Sequence, residues 1–372
     1  MGKHNIPLRL AVILLCAVLF WHMLGAPRTT AEWQAAPLTL ETAWNQLPSR
    51  AGRVFAQWAL HSGEAVKSIP PAETTDWKKL LNKENTWPLK VFDVKQNKLI
   101  EMPLEEYVAG VVAAEMPASY HLEALKAQSA AARTRAVKQA AAFSGLGCAN
   151  HPDADICTDS THCQAYLSMA EQQEKWGAAA QAYQERIVKA VMETKGMIIT
   201  YHGEPITVLY HAISGGRTED VQAVFSKPLP YLVSVESGGE ENSTKYQTVQ
   251  TFSLDEAAKL LNAAFPGANL LADTIALQVS IESRTETGRA AQMRVGDLSV
   301  PAKDFRAALS LNSTLFTISS NESAITFTEK GYGHGVGMSQ AGANAMAAAG
   351  SDWQAILTHY YTGVQIIALP EK

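Results

Sequence analysis

The sequence predicts an α+β fold of mixed helices and short antiparallel sheets. Helical and strand-like segments alternate irregularly along the 372 residues, without the regular strand–helix–strand units of a parallel sheet. Hydrophobic residues make up 47% of the chain and charged residues 18%, which is typical of a globular protein with a sizeable core. The formal net charge of -5 and the lack of a dense stripe of Lys and Arg argue against nucleic acid as a partner.

Residues 1–27 predict a single-pass membrane anchor. Their apolar part is just long enough to cross a bilayer, and Lys3 and Arg9 at its start place the N-terminus in the cytoplasm. The rest of the chain is then expected outside the cell membrane. A cleaved signal peptide is the alternative, because Gly25 and Ala26 offer small residues at the end of the segment. Residues 28–87 predict an extracytoplasmic tether or helical region without recognisable chemistry.

At residue 88 the pattern changes to that of a folded domain, predicted to run to residue 372. Two β-prone runs, 89–94 and 99–104, flank the polar turn KQNK and predict a hairpin. Further along, 178–194 predicts a helix and 196–216 a hairpin that turns at His202 and Gly203.

A smaller inserted α/β subdomain is expected at about 251–316. Its predicted elements are a helix at 254–265, a strand at 275–281, a turn at Gly288 and a helix at 302–309.

Between these segments, two helices are expected to meet at a corner. Apolar residues at helical spacing follow Pro103, which is permitted in a first turn. Proline disfavours the helical conformation in the residue before it, so Pro117 is expected to end the first helix near Met116. Glu115 then lies in the last turn. A second, strongly helical segment covers 121–143.

Glu115 has the environment of a general acid. A helix C-terminus disfavours a negative charge, and the apolar residues before Glu115 offer its carboxylate little solvation, so its pKa is expected to rise. No second acid is an obvious partner for it, because Glu123 follows on a different helix turn. The alternative for Glu115 is a solvated glutamate at the end of an amphipathic helix.

A short run after the second helix is rich in metal-binding side chains. Cys148, His151, Cys157, His162 and Cys163 lie within sixteen residues. Outside the membrane a disulfide such as that between Cys148 and Cys157 is one interpretation, and free thiols are another. Three cysteines leave one unpaired, and two histidines favour tetrahedral Zn²⁺, which accepts nitrogen and sulfur ligands. Four protein ligands leave no open position for water, so such a site is expected to be structural.

The segment GYGHGVGMSQAGA begins at Gly331 and matches neither the dinucleotide-binding nor the phosphate-binding glycine pattern, which argues against a nucleotide. Ser339 is expected to cap the following helix, and His334 can donate a hydrogen bond to a ligand, help to orient the acid or serve a structural role. Upstream, Ser214 in HAISGGRTED has Ala212 where a serine-hydrolase elbow has its first glycine. A serine hydrolase is therefore not expected.

Three blocks together resemble the stage II sporulation protein D family. They are EMPASYHLEALKAQSAAARTRA from Glu115, HAISGGRTED from His211, and GYGHGVGMSQAGANAMAAAG from Gly331. The resemblance runs from roughly residue 89 to the C-terminus. It implies a membrane-anchored lytic transglycosylase that cleaves MurNAc–GlcNAc linkages to 1,6-anhydro-MurNAc products in the septal wall during forespore engulfment. The same domain in other proteins implies the alternative, a non-catalytic wall-binding module that stimulates an amidase.

The resemblance also implies partners and roles for individual residues. The partners are peptide-free glycan strands, a sporulation amidase and the membrane scaffold of the engulfment complex. Glu115 and Arg133 match the catalytic positions, and the guanidinium would hold substrate oxygens or tune the acid. The implied substrate-binding residues are Ser129, Ser214, Lys227, His334, Ser339 and Gln340. The implied structural Zn²⁺ has the ligands His151, Cys157, His162 and Cys163.

Overall fold

The computed structural model describes residues 81, 86–225 and 227–370. The predicted anchor at 1–27 and almost all of the predicted tether at 28–87 lie outside the described residues. In the part of the chain that is described, no helix combines the length and the apolar character needed to cross a membrane.

The predicted α+β class is confirmed, because helices pack against several small sheets that are mostly antiparallel. Two hydrophobic cores form. The larger contains residues between 81 and 364, and the smaller contains residues between 257 and 327. Most of the smaller core comes from residues 251–316, where the sequence predicts an inserted subdomain, and Ile325 and Phe327 extend it beyond that range.

The N-terminal hairpin is confirmed. Strand β1, Pro88–Asp93, pairs antiparallel with strand β2, Lys98–Pro103. Strand β3, Ile156–Cys157, pairs parallel with the other side of β1. This pairing fixes the segment rich in Cys and His beside the hairpin.

The two central helices also form as expected. Helix α1, Leu104–Glu115, starts after Pro103, and the extended backbone of Met116 ends it directly before Pro117. Helix α2, Leu122–Gln139, stops earlier than predicted, and a 3₁₀ turn, Ala141–Phe143, follows. Both helices bury most of their surface, since Ala and Val side chains allow close packing.

The middle of the chain adds helix α3, Met169–Trp176, helix α4, Ala180–Glu193, strand β4, Met197–Tyr201, and strand β5, Glu204–Pro205. The predicted turn between β4 and β5 is confirmed, because His202 and Gly203 adopt φ angles of 53° and 84°. The rest of the predicted hairpin does not form. Strand β6, Tyr210–His211, instead pairs parallel with a strand from the glycine-rich segment.

Three short elements follow: strand β7, Gly216–Arg217, helix α5, Val221–Phe225, and strand β8, Glu236–Ser237. The smaller core is then enclosed by strand β9, Gln247–Ser253, helix α6, Leu254–Ala264, helix α7, Ile275–Gln278, and strand β10, Val279–Arg284. It continues with strand β11, Ala290–Val295, strand β12, Leu298–Pro301, helix α8, Ala302–Ala308, strand β13, Phe316–Ser320, and strand β14, Ala324–Lys330.

The strand predicted over 275–281 is wrong in its first half. Residues 275–278 form a helical turn that buries Ile275 and exposes Leu277, and the strand begins only at Val279, opposite Val295. The C-terminal elements are strand β15, Met338–Ser339, helix α9, Gln340–Ala348, helix α10, Trp353–Tyr360, and strand β16, Gln365–Ala368.

Candidate active site and metal centre

Glu115 lies half-buried at the C-terminal end of α1. Its Oε1 accepts a hydrogen bond of 3.1 Å from the backbone N–H of Ala165. Burial raises the pKa of Glu115, and this effect outweighs the hydrogen bond from Ala165 and the nearby positive charge of Arg135, which both lower it. The carboxyl group therefore holds its proton to higher pH than an exposed glutamate.

The Glu115 side chain borders a cleft of about 390 Å³. One wall is the corner between α1 and α2, and the other carries Lys175, Trp176 and Tyr183. The rings of Trp176 and Tyr183 meet edge to face, with centroids 5.5 Å apart. Among the described residues that line this cleft, Glu115 is the only carboxylic acid. The cleft can thus accept a bulky polar ligand next to a single carboxylic acid.

Two further groups act on the Glu115 carboxylate. Arg135, on α2, lowers the pKa of Glu115 by its charge, and its Nη2 donates a 3.1 Å hydrogen bond to the carbonyl oxygen of His162. The hydroxyl oxygen of Tyr210 is buried and bonds to no described residue. Burial, followed by the charge of Glu115, raises the pKa of Tyr210. The two side chains are therefore neighbours, although the hydroxyl falls short of hydrogen-bond geometry.

Arg133 lies elsewhere. It is fully buried, and its Nη2 forms a 2.6 Å ion pair with Oε2 of Glu105. Its Nε contacts both Glu105 oxygens, while its terminal nitrogens donate to the carbonyls of Met197 and Val191. The structure thus pairs Arg133 with Glu105 and not with Glu115, and the role that the resemblance implies for it, holding substrate oxygens or tuning the acid, stays a prediction. Arg133 instead ties α1 and α2 to α4 and β4.

Two residues predicted to bind substrate belong to a buried hydrogen-bond network that we call the Glu240 hub. Oε2 of Glu240 accepts bonds from the Ser214 N–H at 3.0 Å, the Ser214 hydroxyl at 2.8 Å and the Gly215 N–H at 2.9 Å. Its Oε1 accepts the hydroxyls of Ser237 and Ser339. Ser214 and Ser339 are fully buried. As predicted, Ser339 also caps α9, by accepting the N–H of Gly342.

The remaining predicted substrate residues are spread across the molecule. Ser129 is fully buried and donates to the carbonyl of Leu125, and the nearly buried Gln340 donates to the side chain of Gln128. Lys227 is exposed. His334 lines a second cavity and accepts a 3.1 Å bond from the Val336 N–H at Nδ1. Burial, followed by the charge of Arg306, lowers the pKa of His334 to about 4.

Cys148, Cys157, His162 and Cys163 form a compact cluster that can hold a metal ion. The Nδ1 atom of His162 lies 3.5, 3.6 and 3.2 Å from the sulfurs of Cys148, Cys157 and Cys163, and the sulfurs of Cys148 and Cys163 are 3.9 Å apart. A tetrahedral zinc site with Zn–S of about 2.3 Å and Zn–N of about 2.0 Å has S···S edges of roughly 3.8 Å and N···S edges of roughly 3.5 Å. The four side chains therefore fit Zn²⁺.

The cluster differs from the predicted ligand set in one residue. Cys148 takes the place of His151, whose ring stacks on Phe92 with centroids 3.8 Å apart. A tight turn explains the exchange, because the His151 N–H bonds to the Cys148 carbonyl and the Ala154 N–H to the His151 carbonyl. The turn points Cys148 toward the cluster. No disulfide joins these three described cysteines, so the alternative pairing of Cys148 with Cys157 is not present.

The metal cluster and Glu115 are connected through one segment. Ala165, which bonds to Glu115, follows the cluster residues His162 and Cys163 by only a few positions. Tyr166 then packs on Gly110 of α1 so closely that a Cβ at Gly110 would lie 2.1 Å from the Tyr166 ring. Only glycine allows this approach. A well-ordered cluster therefore helps to hold the segment that bonds to Glu115 and packs on α1.

Sequence reasoning missed three residues of this arrangement: Arg135, Tyr210 and Glu240. Arg135 lies two residues after Arg133 in the same block, and two positions on a helix point in different directions. Tyr210 directly precedes the HAISGGRTED block, so its position was a usable signal. Glu240 lies in the loop GGEEN, where nothing distinguishes it from its exposed neighbour Glu241.

Comparison with known proteins gives consistent results. A family model described as stage II sporulation protein matches residues 93–201. Stage II sporulation protein D of Bacillus subtilis (strain 168) is 36% identical over 278 residues, which cover 75% of this chain and 78% of that protein. The protein of the same name from Bacillus amyloliquefaciens is 38% identical over 285 residues, covering 76% of this chain and 80% of that protein. An amidase enhancer of B. subtilis is 28% identical over 304 residues, which cover 69% of this chain and 40% of that protein.

Proposed function

The chain belongs to the stage II sporulation protein D family, and we propose that it is a lytic transglycosylase that cleaves MurNAc–GlcNAc linkages in peptidoglycan. The family supports a role in sporulation and the cell wall, and we place the reaction in septal wall remodelling during forespore engulfment. The observation that carries the proposal is Glu115, a half-buried carboxyl with a raised pKa and the only acid lining its cleft among the described residues.

A single acid suffices for this reaction. The Glu115 carboxyl gives its proton to the glycosidic oxygen as the bond to C1 of MurNAc breaks. The resulting carboxylate then takes the proton from the O6 hydroxyl of the same MurNAc, and O6 closes on C1 to form the 1,6-anhydro ring. No water enters, and Glu115 ends protonated as it began. Arg135 and Tyr210 lie behind this acid and act on the charge of its carboxylate.

The test is a digest of purified, peptide-free glycan strands analysed by mass spectrometry. The wild-type protein is expected to release products with 1,6-anhydro-MurNAc ends, one water lighter than hydrolysis products. Glu115→Gln should lower the rate about a hundredfold or more, since it removes the transferable proton. Glu174→Gln, the same change at an exposed position near the cleft, should cleave normally.

Other outcomes would contradict the proposal in different ways. Reducing muramic ends would indicate a hydrolase with a second carboxylate. If Glu115→Gln were as active as the wild type, Glu115 would not be the general acid. Stimulation of an amidase by a protein that cleaves no strands would support the rival function, a non-catalytic wall-binding module. The similarity to an amidase enhancer is the observation that favours this rival.

We further propose that the cluster of Cys148, Cys157, His162 and Cys163 holds a structural Zn²⁺. Four protein ligands leave no open position, so bound zinc would supply a cross-link and take no part in the chemistry. Metal analysis should find about one Zn²⁺ per chain. Cys148→Ser should lose the metal, whereas His151→Ala should retain it. The reverse pattern would restore the ligand set predicted from the sequence.

Residues 1–27 are proposed as the anchor that holds the domain on the outer side of the cell membrane. The expected partners there are peptide-free glycan strands, a sporulation amidase and the membrane scaffold of the engulfment complex. Full-length protein should fractionate with membranes and keep its N-terminal sequence. A soluble mature form that starts near Pro27 would instead identify a cleaved signal peptide.

A further inference from the structure

A second cavity, of about 180 Å³, lies where the loops that follow β6 and the glycine-rich segment meet the smaller core. We call it the cationic pocket. Three basic side chains, those of Arg289, Lys303 and Arg306, line it together with Glu219 and His334. It is smaller than the pockets that enclose whole drug-sized ligands, so it suits a substituent of a larger molecule.

Arg289 is almost fully buried, and its contacts leave one nitrogen unused. Its Nη2 donates to the carbonyls of Ser214 and Arg217, and its Nη1 to the Ser313 hydroxyl. Its Nε bonds to no described residue and is 3.9 Å from Oε2 of Glu219. The Arg289 guanidinium thus contributes its positive charge to the wall of the pocket.

The charges around the cavity select an anion. Glu219 is already occupied, because it accepts the hydroxyls of Thr285 at 2.6 Å and Thr287 at 2.5 Å and the Asp220 N–H at 2.9 Å. Arg306 uses its Nε on the Leu311 carbonyl and leaves its terminal nitrogens without a bond to a described residue. Three cations thus face one acid that has its own donors.

His334 contributes a neutral donor. Its pKa of about 4 follows from burial and then from Arg306, with smaller effects of Arg289 and Arg135, so the ring carries no charge at neutral pH. Since Nδ1 accepts the Val336 N–H, the ring proton is on Nε2. The repulsion of the protonated ring by three arginines indicates a positive potential at this wall.

Tyr210 connects this pocket with the proposed acid. Its hydroxyl neighbours Glu115, whereas its main chain neighbours His334. The two sites are therefore about one tyrosine side chain apart. We therefore expect a glycan held at Glu115 to reach the cationic pocket with a substituent of a nearby sugar.

We propose that the cationic pocket binds a carboxylate carried by the glycan, the lactyl carboxylate that N-acetylmuramic acid exposes once its peptide has been removed. This inference rests on the proposed function for its substrate. Arg306 and Lys303 provide charge and donors, Arg289 adds a fixed positive charge, and His334 provides a neutral donor. The pocket thereby selects peptide-free strands, because a peptide amide in place of the carboxylate has no negative charge and needs more space.

The test compares two ligands with the same β-1,4 backbone and the same N-acetyl groups: peptide-free glycan strands and a chitin oligosaccharide, which has no lactyl group. Binding is measured by calorimetry on full-length protein, with Glu115→Gln in every sample to prevent cleavage. Lys303→Gln combined with Arg306→Gln should weaken binding of the strands at least about tenfold and leave chitin binding unchanged. Lys259→Gln, an exposed change in the same region, should alter neither.

If the double variant lost affinity equally for both ligands, or for neither, the proposal would be overturned. Inorganic phosphate is a third probe. If phosphate binds to the wild type in an Arg306-dependent way while the strands show no preference over chitin, the pocket is a free-anion site and the glycan assignment is wrong. Melting temperatures of all variants confirm folding. Because the readout is binding, strands that bind as expected but are never cut by the wild type would reject the proposed reaction and retain the pocket.

Discussion

Glu240 and Glu115 carry the same carboxylate, but their surroundings differ in the number of hydrogen-bond donors and in access to solvent. The Glu240 carboxylate accepts five hydrogen bonds from three separate segments of the chain and is almost inaccessible to solvent. The Glu115 carboxylate accepts one hydrogen bond and borders an open cleft. A carboxylate saturated with donors has no capacity left for a ligand, whereas an undersupplied one is available for proton transfer.

The two glycine-rich blocks, which begin at His211 and Gly331, meet around Glu240 and not around Glu115. Ser214 and Ser339 both donate to Glu240, so these blocks meet each other through a buried carboxylate. Their regularity in the sequence reflects close backbone packing. At Gly337, for example, a Cβ would lie 2.1 Å from the carbonyl oxygen of Leu209. The reactive position is the less conspicuous end of α1.

The largest expected effect would come from removing the Glu240 carboxylate. Glu240→Ala leaves five donors without an acceptor, each costing about 1–3 kcal/mol, so we expect a loss of at least about 5 kcal/mol in the free energy of unfolding. Urea denaturation followed by circular dichroism measures this loss. Glu241→Ala, at the exposed neighbour, should have almost no effect. Equal stabilities of the two variants would refute the structural role of the hub.

Substitution of Arg133 should destabilise the fold, as substitution of Glu240 should. Arg133→Met leaves Glu105 buried without its partner, and we expect a loss of about 3–5 kcal/mol in the free energy of unfolding. The same denaturation assay checks it. A variant with wild-type stability and no glycan cleavage would contradict this and return Arg133 to the catalytic role that the family resemblance implies.

Substitution of Arg135 should change the pH dependence of the reaction at Glu115. Its positive charge lowers the pKa of Glu115, so Arg135→Gln should raise that pKa further. The acid then stays protonated to higher pH, and the descending limb of the profile of kcat/KM against pH should move to higher pH. Arg294→Gln, an exposed arginine in the smaller-core region, is the matched control. An unmoved limb in Arg135→Gln would mean that the arginine does not act on the acid.

The smallest expected effect is a gain in stability from Glu115→Gln. The pKa of Glu115 is raised in the folded state, so its contribution to stability is present below its ordinary pKa of about 4.3 and is lost as pH rises through the raised value. Glutamine keeps an acceptor for Ala165 and carries no charge. The variant should therefore melt higher than the wild type at pH 7 and at the same temperature below about pH 4. A lower melting temperature at pH 7 would show that the charged form is favoured.

Local signals were sufficient for several elements of the fold. The end of α1 at Met116 follows from Pro117, and the turn at His202 and Gly203 follows from residues that tolerate positive φ. The strand predicted over 275–281 failed in its first half, because whether an apolar run coils or extends depends on what packs against it. Ile275 and Val279 both reach the smaller core, the first from a helical turn and the second from a strand.

By itself, the sequence determined the α+β class, the place of Glu115 at a helix end and the direction of its pKa, since backbone preference and helix position act over a few residues. Tertiary structure decided which side chains meet. It paired Arg133 with Glu105 and left Arg135 beside Glu115, and it put Cys148 in the place expected for His151. Such choices depend on packing between segments far apart in the chain, and spacing along the chain carries no record of the direction in which each side chain points.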